Sequence, residues 1–245
     1  MKMKQALFFL LLFFVTTANA QEKVKKEFKN TIKYNITNPF IFGKNVHILG
    51  YERVLNKKRS LSINVGTTSL PKFTGISSDS MSVIGSNKNA GFHAAVEYRF
   101  YLGKENKYNA PRGVYLAPYY SFNSFQKKNT WALNTSTTSG SINTDIALNI
   151  HTFGAELGYQ FVLWNRLSLD FVLMGPGVAA YTLKTGFDTE LPSPDKLALI
   201  AKINNAIADK LPGYDFVIPD DFGKTSSSGV TSFNFRYLIQ IGFRF

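Results

Sequence analysis

Seven charged residues could do chemistry in a shared place: Glu52, Glu97, Arg99, Glu156, Arg166, Asp170 and Arg236. Each sits on the polar parity of an alternating segment, so on strands all seven would face the same side. Carboxylates and guanidinium groups gathered there could relay protons or line a polar pathway. The plainer reading is an interior packed with ion pairs, and a narrow interior favours it.

The three histidines suggest other chemistries, a metal site or a catalytic base. Parity separates them. His93 shares the side of Glu97, His151 shares the side of Phe153 and Leu157, and His47 is open. Metal ligands must converge on one point, so neither a metal nor a cofactor is expected. A lipid-modifying enzyme using a histidine base and a serine stays as an alternative with no residues assigned. Asp215, Asp220 and Asp221 match no calcium loop.

The elements that would position these groups are clearest in Thr231 to Phe245, TSFNFRYLIQIGFRF. Phe233, Phe235, Tyr237, Ile239, Ile241, Phe243 and Phe245 share one parity; Asn234, Arg236, Leu238, Gln240, Gly242 and Arg244, mostly polar, lie on the other. A strand between lipid and a polar lumen carries this pattern. Phe243 and Phe245 are read as the signal that barrel-assembly machinery recognises.

Lys2 and Lys4, the apolar run Ala6 to Val15 and the closing Ala18-Asn19-Ala20 read as a cleaved signal peptide, residues 1–20. The run is too short for a spanning helix. Residues 21–29 are then a short periplasmic segment, and 30–245 an outer-membrane β-barrel in a Gram-negative envelope. There is no cysteine, hence neither a lipoprotein anchor nor a disulfide. The 22 Phe and 12 Tyr suit a lipid-facing wall and its aromatic girdles. Export argues against nucleic acid as the partner of the +12 charge, and contact with outer-membrane lipid and lipopolysaccharide phosphates is the simpler use.

Alternation predicts eight strands, at 30–42, 45–55, 60–70, 91–103, 112–125, 145–163, 166–184 and 230–245. The first connection, near Gly43-Lys44, is tight. Short connections follow strands 2, 4 and 6, while 71–90, 126–144 and 185–229 are long. Short periplasmic turns and long external loops are the asymmetry of such barrels. Pro118 and Gly175-Pro176-Gly177 fit poorly in strand interiors and are read as bulges. The Ser/Thr/Asn tract from Asn129 to Thr144 is expected to be a solvated loop.

The loop 185–229 carries a helix signature. Ser193-Pro194-Asp195 is a good helix start, and Leu199, Ile200, Ile203, Ile207 and Leu211 recur at helical spacing before Pro212-Gly213. With four lysines against seven acids the loop has charge −3, unlike the rest of the chain. An amphipathic helix there would pack on its own loop, or cover the mouth or bind a surface or periplasmic protein partner.

The stretch IKYNITNPFIFGKNVHILGYERVLNKKRSLSINVG, Ile32 to Gly66, resembles the opening of uncharacterised Bacteroidota-type outer-membrane barrels, and the final GFRF is similar to the ending of OmpA/OmpX-type small barrels. The resemblance spans residues 30–245 apart from the last long loop. It implies an all-β, eight-stranded antiparallel transmembrane up-and-down barrel and brings no catalytic residues. The expected role is non-enzymatic, structural or surface-interacting. A narrow porin-like conduit for small or hydrophobic solutes is the alternative.

Overall fold

Alternating sequence becomes a closed antiparallel sheet in the computed structural model, which describes residues 28–43, 45–69, 77–78, 81–104, 106–134, 139–187 and 225–245. In chain order the elements are β1 (Asn30–Asn35), α1 (Thr37–Phe42), β2 (Ile48–Asn56), β3 (Arg59–Thr68), β4 (Ser77–Ser78), β5 (Met81–Tyr101), β6 (Gly113–Asn134), β7 (Ser139–Leu163), β8 (Leu167–Phe187) and β9 (Thr225–Arg244). Each strand pairs with its neighbours, β9 pairs with β1, and a β3–β5 pairing shuts the ring. The two-residue β4 lies outside that circuit, pairing only with β5. Eight strands therefore make the ring.

The register sets its width. Crossing from Thr31 through Glu52, Ser62, Glu97, Tyr119, Gly154, Gly177 and Asn234 returns, by the β9–β1 register, to position 41 instead of 31. A stagger of ten residues over eight strands tilts them by roughly 40° and leaves an interior that side chains can fill. The turns joining β2–β3, β5–β6 and β7–β8, with the start of β1 and the end of β9, gather at one end of the ring (the turn end below).

Several expectations are corrected. The first strand stops at Asn35 rather than 42, because the Asn35 Oδ1 accepts from the backbone N–H of Thr37 and Asn38, at 2.9 and 3.1 Å, and starts α1. Pro39 lies in that helix's first turn, where its missing N–H is tolerated. The first connection is thus a helical segment and not a tight turn. The tract Asn129 to Thr144 is largely ladder: Asn129 pairs with Thr144 and Asn134 with Ser139, both Asn129 and Thr144 being buried. β5 likewise begins at Met81, inside the expected loop 71–90.

The two proline sites part ways. Pro118 causes no register shift; the β5–β6 ladder resumes in the same register after skipping the pairs beside it, which is the effect of one missing donor. Near Gly175-Pro176-Gly177 the register does shift, between Leu157 and Gly158 against β7 and between Val172 and Gly175 against β9. Leu173 and Met174 are consecutive and both face outward, so the expected bulge lies just before the Gly-Pro-Gly. The helix expected over Leu199, Ile200, Ile203, Ile207 and Leu211 lies outside the described residues.

Polarity is inverted relative to a water-soluble sheet. Ile32, Leu49, Ile63, Phe92, Val96, Leu116, Phe153, Phe161 and the whole aromatic parity of β9 stand exposed on the outer face. Inward positions hold Thr31, Lys33, Glu52, Ser62, Asn64, Glu97, Arg99, Gln160 and Asp170, all nearly inaccessible. Toward the end opposite the turns the interior mixes Phe125, Ile146, Leu148 and Leu183 with Lys127, Asn129 and Thr144, all buried.

Candidate functional site: a charged interior

Alternation on six strands delivers the groups of the interior cluster to one level of the ring. Lys33 comes from β1, Glu52 from β2, Glu97 and Arg99 from β5, Glu156 from β7, Asp170 from β8 and Arg236 from β9. Lys33 Nζ bridges Glu52 Oε2 at 2.6 Å and Asp170 Oδ2 at 2.7 Å. Arg99 Nη1 reaches Asp170 Oδ2 at 2.6 Å, and its Nε donates to Glu97 Oε2 at 3.0 Å. Arg236 continues the chain of charges, with Nη2 on Glu97 Oε1 at 2.6 Å and Nη1 3.3 Å from Glu156 Oε2.

Neutral groups complete the shell. Tyr115 donates to Asp170 Oδ1 at 2.8 Å, and its ring lies 4.4 Å from the Arg99 guanidinium carbon. Tyr101 donates to Gln160 Oε1 at 2.7 Å, while Gln160 Nε2 donates to Glu52 Oε2 at 3.0 Å and to Ser168 Oγ at 2.8 Å. Asn64 Nδ2 donates to Glu97 Oε1 at 3.0 Å, and Asn64 Oδ1 accepts from Gln240 Nε2 at 2.8 Å. The tyrosines reach this position because glycines of β7 and β8 leave room for their rings. A Cβ on Gly158 would collide with the Tyr115 phenol, and one on Gly154 or Gly177 would collide with Tyr119.

Six of the seven expected charged residues come together and one does not. Arg166 is exposed in the Trp164–Arg166 turn, where its guanidinium stacks on Phe28 at 4.2 Å and lies 5.4 Å from the Phe243 ring. It precedes β8, so strand parity does not hold its side chain inside. Parity also carried Lys33, Tyr101, Tyr115 and Gln160, which complete the cluster. Lys33 was legible from Thr31, Lys33 and Asn35 alternating with Ile32 and Tyr34. Phe243 and Phe245 point outward.

The histidines occupy different faces. His93 is inside, with Nδ1 2.7 Å from Asn123 Oδ1; since that oxygen only accepts, Nδ1 carries the proton. His151 and His47 stand exposed, with Nδ1 2.8 Å from the Tyr120 hydroxyl and 2.9 Å from the Tyr34 hydroxyl.

Chemically, the cluster is saturated: its carboxylates and cations satisfy one another across strands. Glu156 and its neighbour Arg236 are the exceptions, since neither buried oxygen of Glu156 receives a hydrogen bond and Arg236 Nη1 makes none. Within this cluster four carboxylates face three cations. Such an arrangement ties strands to one another through the interior. No family model matches the chain, and no curated protein matches it.

Proposed function

We propose that the chain is an eight-stranded outer-membrane β-barrel with a closed interior, serving a structural or surface-interaction role through the end opposite its short turns. The inverted polarity carries this reading. A wall that displays Phe92, Phe153, Phe233, Phe235, Ile239 and Ile241 outward while burying Lys33, Arg99, Glu97 and Asp170 suits a ring with lipid outside. In water the same wall would leave an apolar surface far larger than monomeric proteins expose.

The saturated cluster supports a closed rather than a conducting interior, because Lys33, Arg99 and Arg236 tie strands across the axis at ion-pair distances. The partners that follow are outer-membrane lipid, lipopolysaccharide and the machinery that inserts barrels. The test combines two measurements on protein folded in detergent and in liposomes. Unboiled protein should migrate differently from boiled protein on SDS gels, and planar bilayers should show no stable unitary current. Identical migration with solubility in plain buffer would sink the membrane reading; steady current steps would sink the closed interior.

A further inference from the structure

The turn end of the ring holds a cavity of about 710 Å³, within the size range of small-molecule sites. Its walls come from the start of β1, the β2–β3 turn, the β5–β6 connection, the β7–β8 turn and the end of β9, so it lies at the ring's mouth instead of on the outer wall. Lys29, Lys57, Arg112 and Arg244 line it, and among the described residues its lining includes no aspartate or glutamate. Glu52, two residues further along β2 from the lining Val54, is already engaged by Lys33, Ser60, Tyr101 and Gln160.

The cations are unevenly committed. Arg244 is a wall fixture, with Nη2 donating to the Phe28 carbonyl at 2.6 Å and Nη1 3.3 Å from Asn165 Oδ1. Arg112 is stacked on the Tyr108 ring at 3.6 Å, which presents its planar fork without occupying its edge. Lys29 and Lys57 are exposed at the rim. Beside them Trp164 is 78% exposed and held at φ 48°, a conformation that bulky residues seldom adopt. An exposed indole kept in a left-handed turn, at the edge of a cationic cavity floored by Val54 and Val162, has the makings of a contact for a ligand's apolar body.

We propose that this mouth is a binding pocket for a small, water-soluble organic anion, one carrying a phosphate or carboxylate on an aromatic or apolar body. Arg112 and Lys57 take the charge, and Trp164 takes the body. Charged hydrogen bonds to guanidinium and ammonium groups favour either anion, with the fork of Arg112 able to hold two oxygens at once. The pocket does not depend on the membrane reading, because it is built from the turns and not from the outer wall.

Isothermal titration of the folded protein with phenyl phosphate tests it, with inorganic phosphate as the charge-only probe and benzyl alcohol as the body-only probe. Phenyl phosphate should bind at one site at least about tenfold more tightly than either, and K57A/R112A should weaken it by about tenfold or more. K104A/K107A removes the same charge from the same end, outside the lining, and should leave binding unchanged. In a W131F background Trp164 is the sole tryptophan, and phenyl phosphate should change its emission with the same affinity. Equal weakening in both double variants, phenyl phosphate bound no better than inorganic phosphate, or an unchanged Trp164 signal overturns the proposal. Gel migration of the same samples reports on the membrane reading separately.

Discussion

Lys33 and Asp170 are 137 residues apart in the chain, and their side chains meet at 2.7 Å inside the ring. Two strands separated by β9 are thereby joined through the interior as well as through the wall. Lys33 also holds Glu52, so one ammonium group bridges two buried carboxylates. Removing one partner of a buried ion pair strands the others, at a cost of roughly 3–5 kcal/mol. K33M is therefore expected to lower unfolding stability by about that amount in urea titrations of liposome-inserted protein. K33M/E52Q, with one stranded charge fewer, should recover part of the loss. A K33M variant as stable as the parent would mean the bridge contributes nothing.

Glu97 and Glu156 flank the same arginine and should respond in opposite ways to loss of charge. Glu97 accepts from Arg99, Arg236 and Asn64. Glu156 has two buried oxygens with no hydrogen bond and a single ion-pair neighbour. In a cluster of four carboxylates and three cations, Glu156 is the supernumerary one. E97Q should cost about 2 kcal/mol or more, whereas E156Q should be neutral or stabilising. Matched denaturation midpoints of the two variants decide it, and equal losses would contradict this assignment.

Tyr115 and Gly158 form a packing pair across β6 and β7. The phenol lies where a Gly158 Cβ would stand, and from there it reaches Asp170. G158A should cost about 1–3 kcal/mol by overpacking, and more than Y115F, which keeps the ring and loses one hydrogen bond. Thermal unfolding by circular dichroism would rank them. The reverse order would place the ring elsewhere.

Much of this was readable from two-residue periodicity, for a reason visible in β9. When one side meets lipid or an equivalent apolar setting and the other a charged interior, every second residue is constrained, so Phe233 through Phe245 and Arg236 declare their sides. The same constraint exposed Glu52, Glu97, Arg99 and Asp170. It fails where neither side is apolar. Asn129 to Asn134 pairs with Ser139 to Thr144 as regular ladder, yet its Ser, Thr and Asn side chains show no alternation to read. It fails again at Arg166, where a three-residue turn releases the side chain from strand parity, and at Asn35, whose local hydrogen bonds end β1 early. The pairings within the cluster were hidden too, because parity names a side and not a partner; only the register brings Lys33 to Asp170.

Ile239 offers the sharpest test of the outer wall. Its side chain faces outward from β9, between Tyr237 and Ile241, with its backbone N–H held by the Thr37 hydroxyl at 2.7 Å. Thr231 is also exposed on that strand, eight residues nearer the long-connection end. If lipid covers the middle of the wall, arginine at 239 should cost roughly 2–4 kcal/mol and arginine at 231 about 1 or less, since the penalty falls toward the interface. In water both substitutions would be close to neutral, as most exposed changes are. Folding titrations of I239R and T231R in liposomes measure the gradient directly. A graded loss that follows depth supports a lipid-facing wall, and two equally stable variants would refute it.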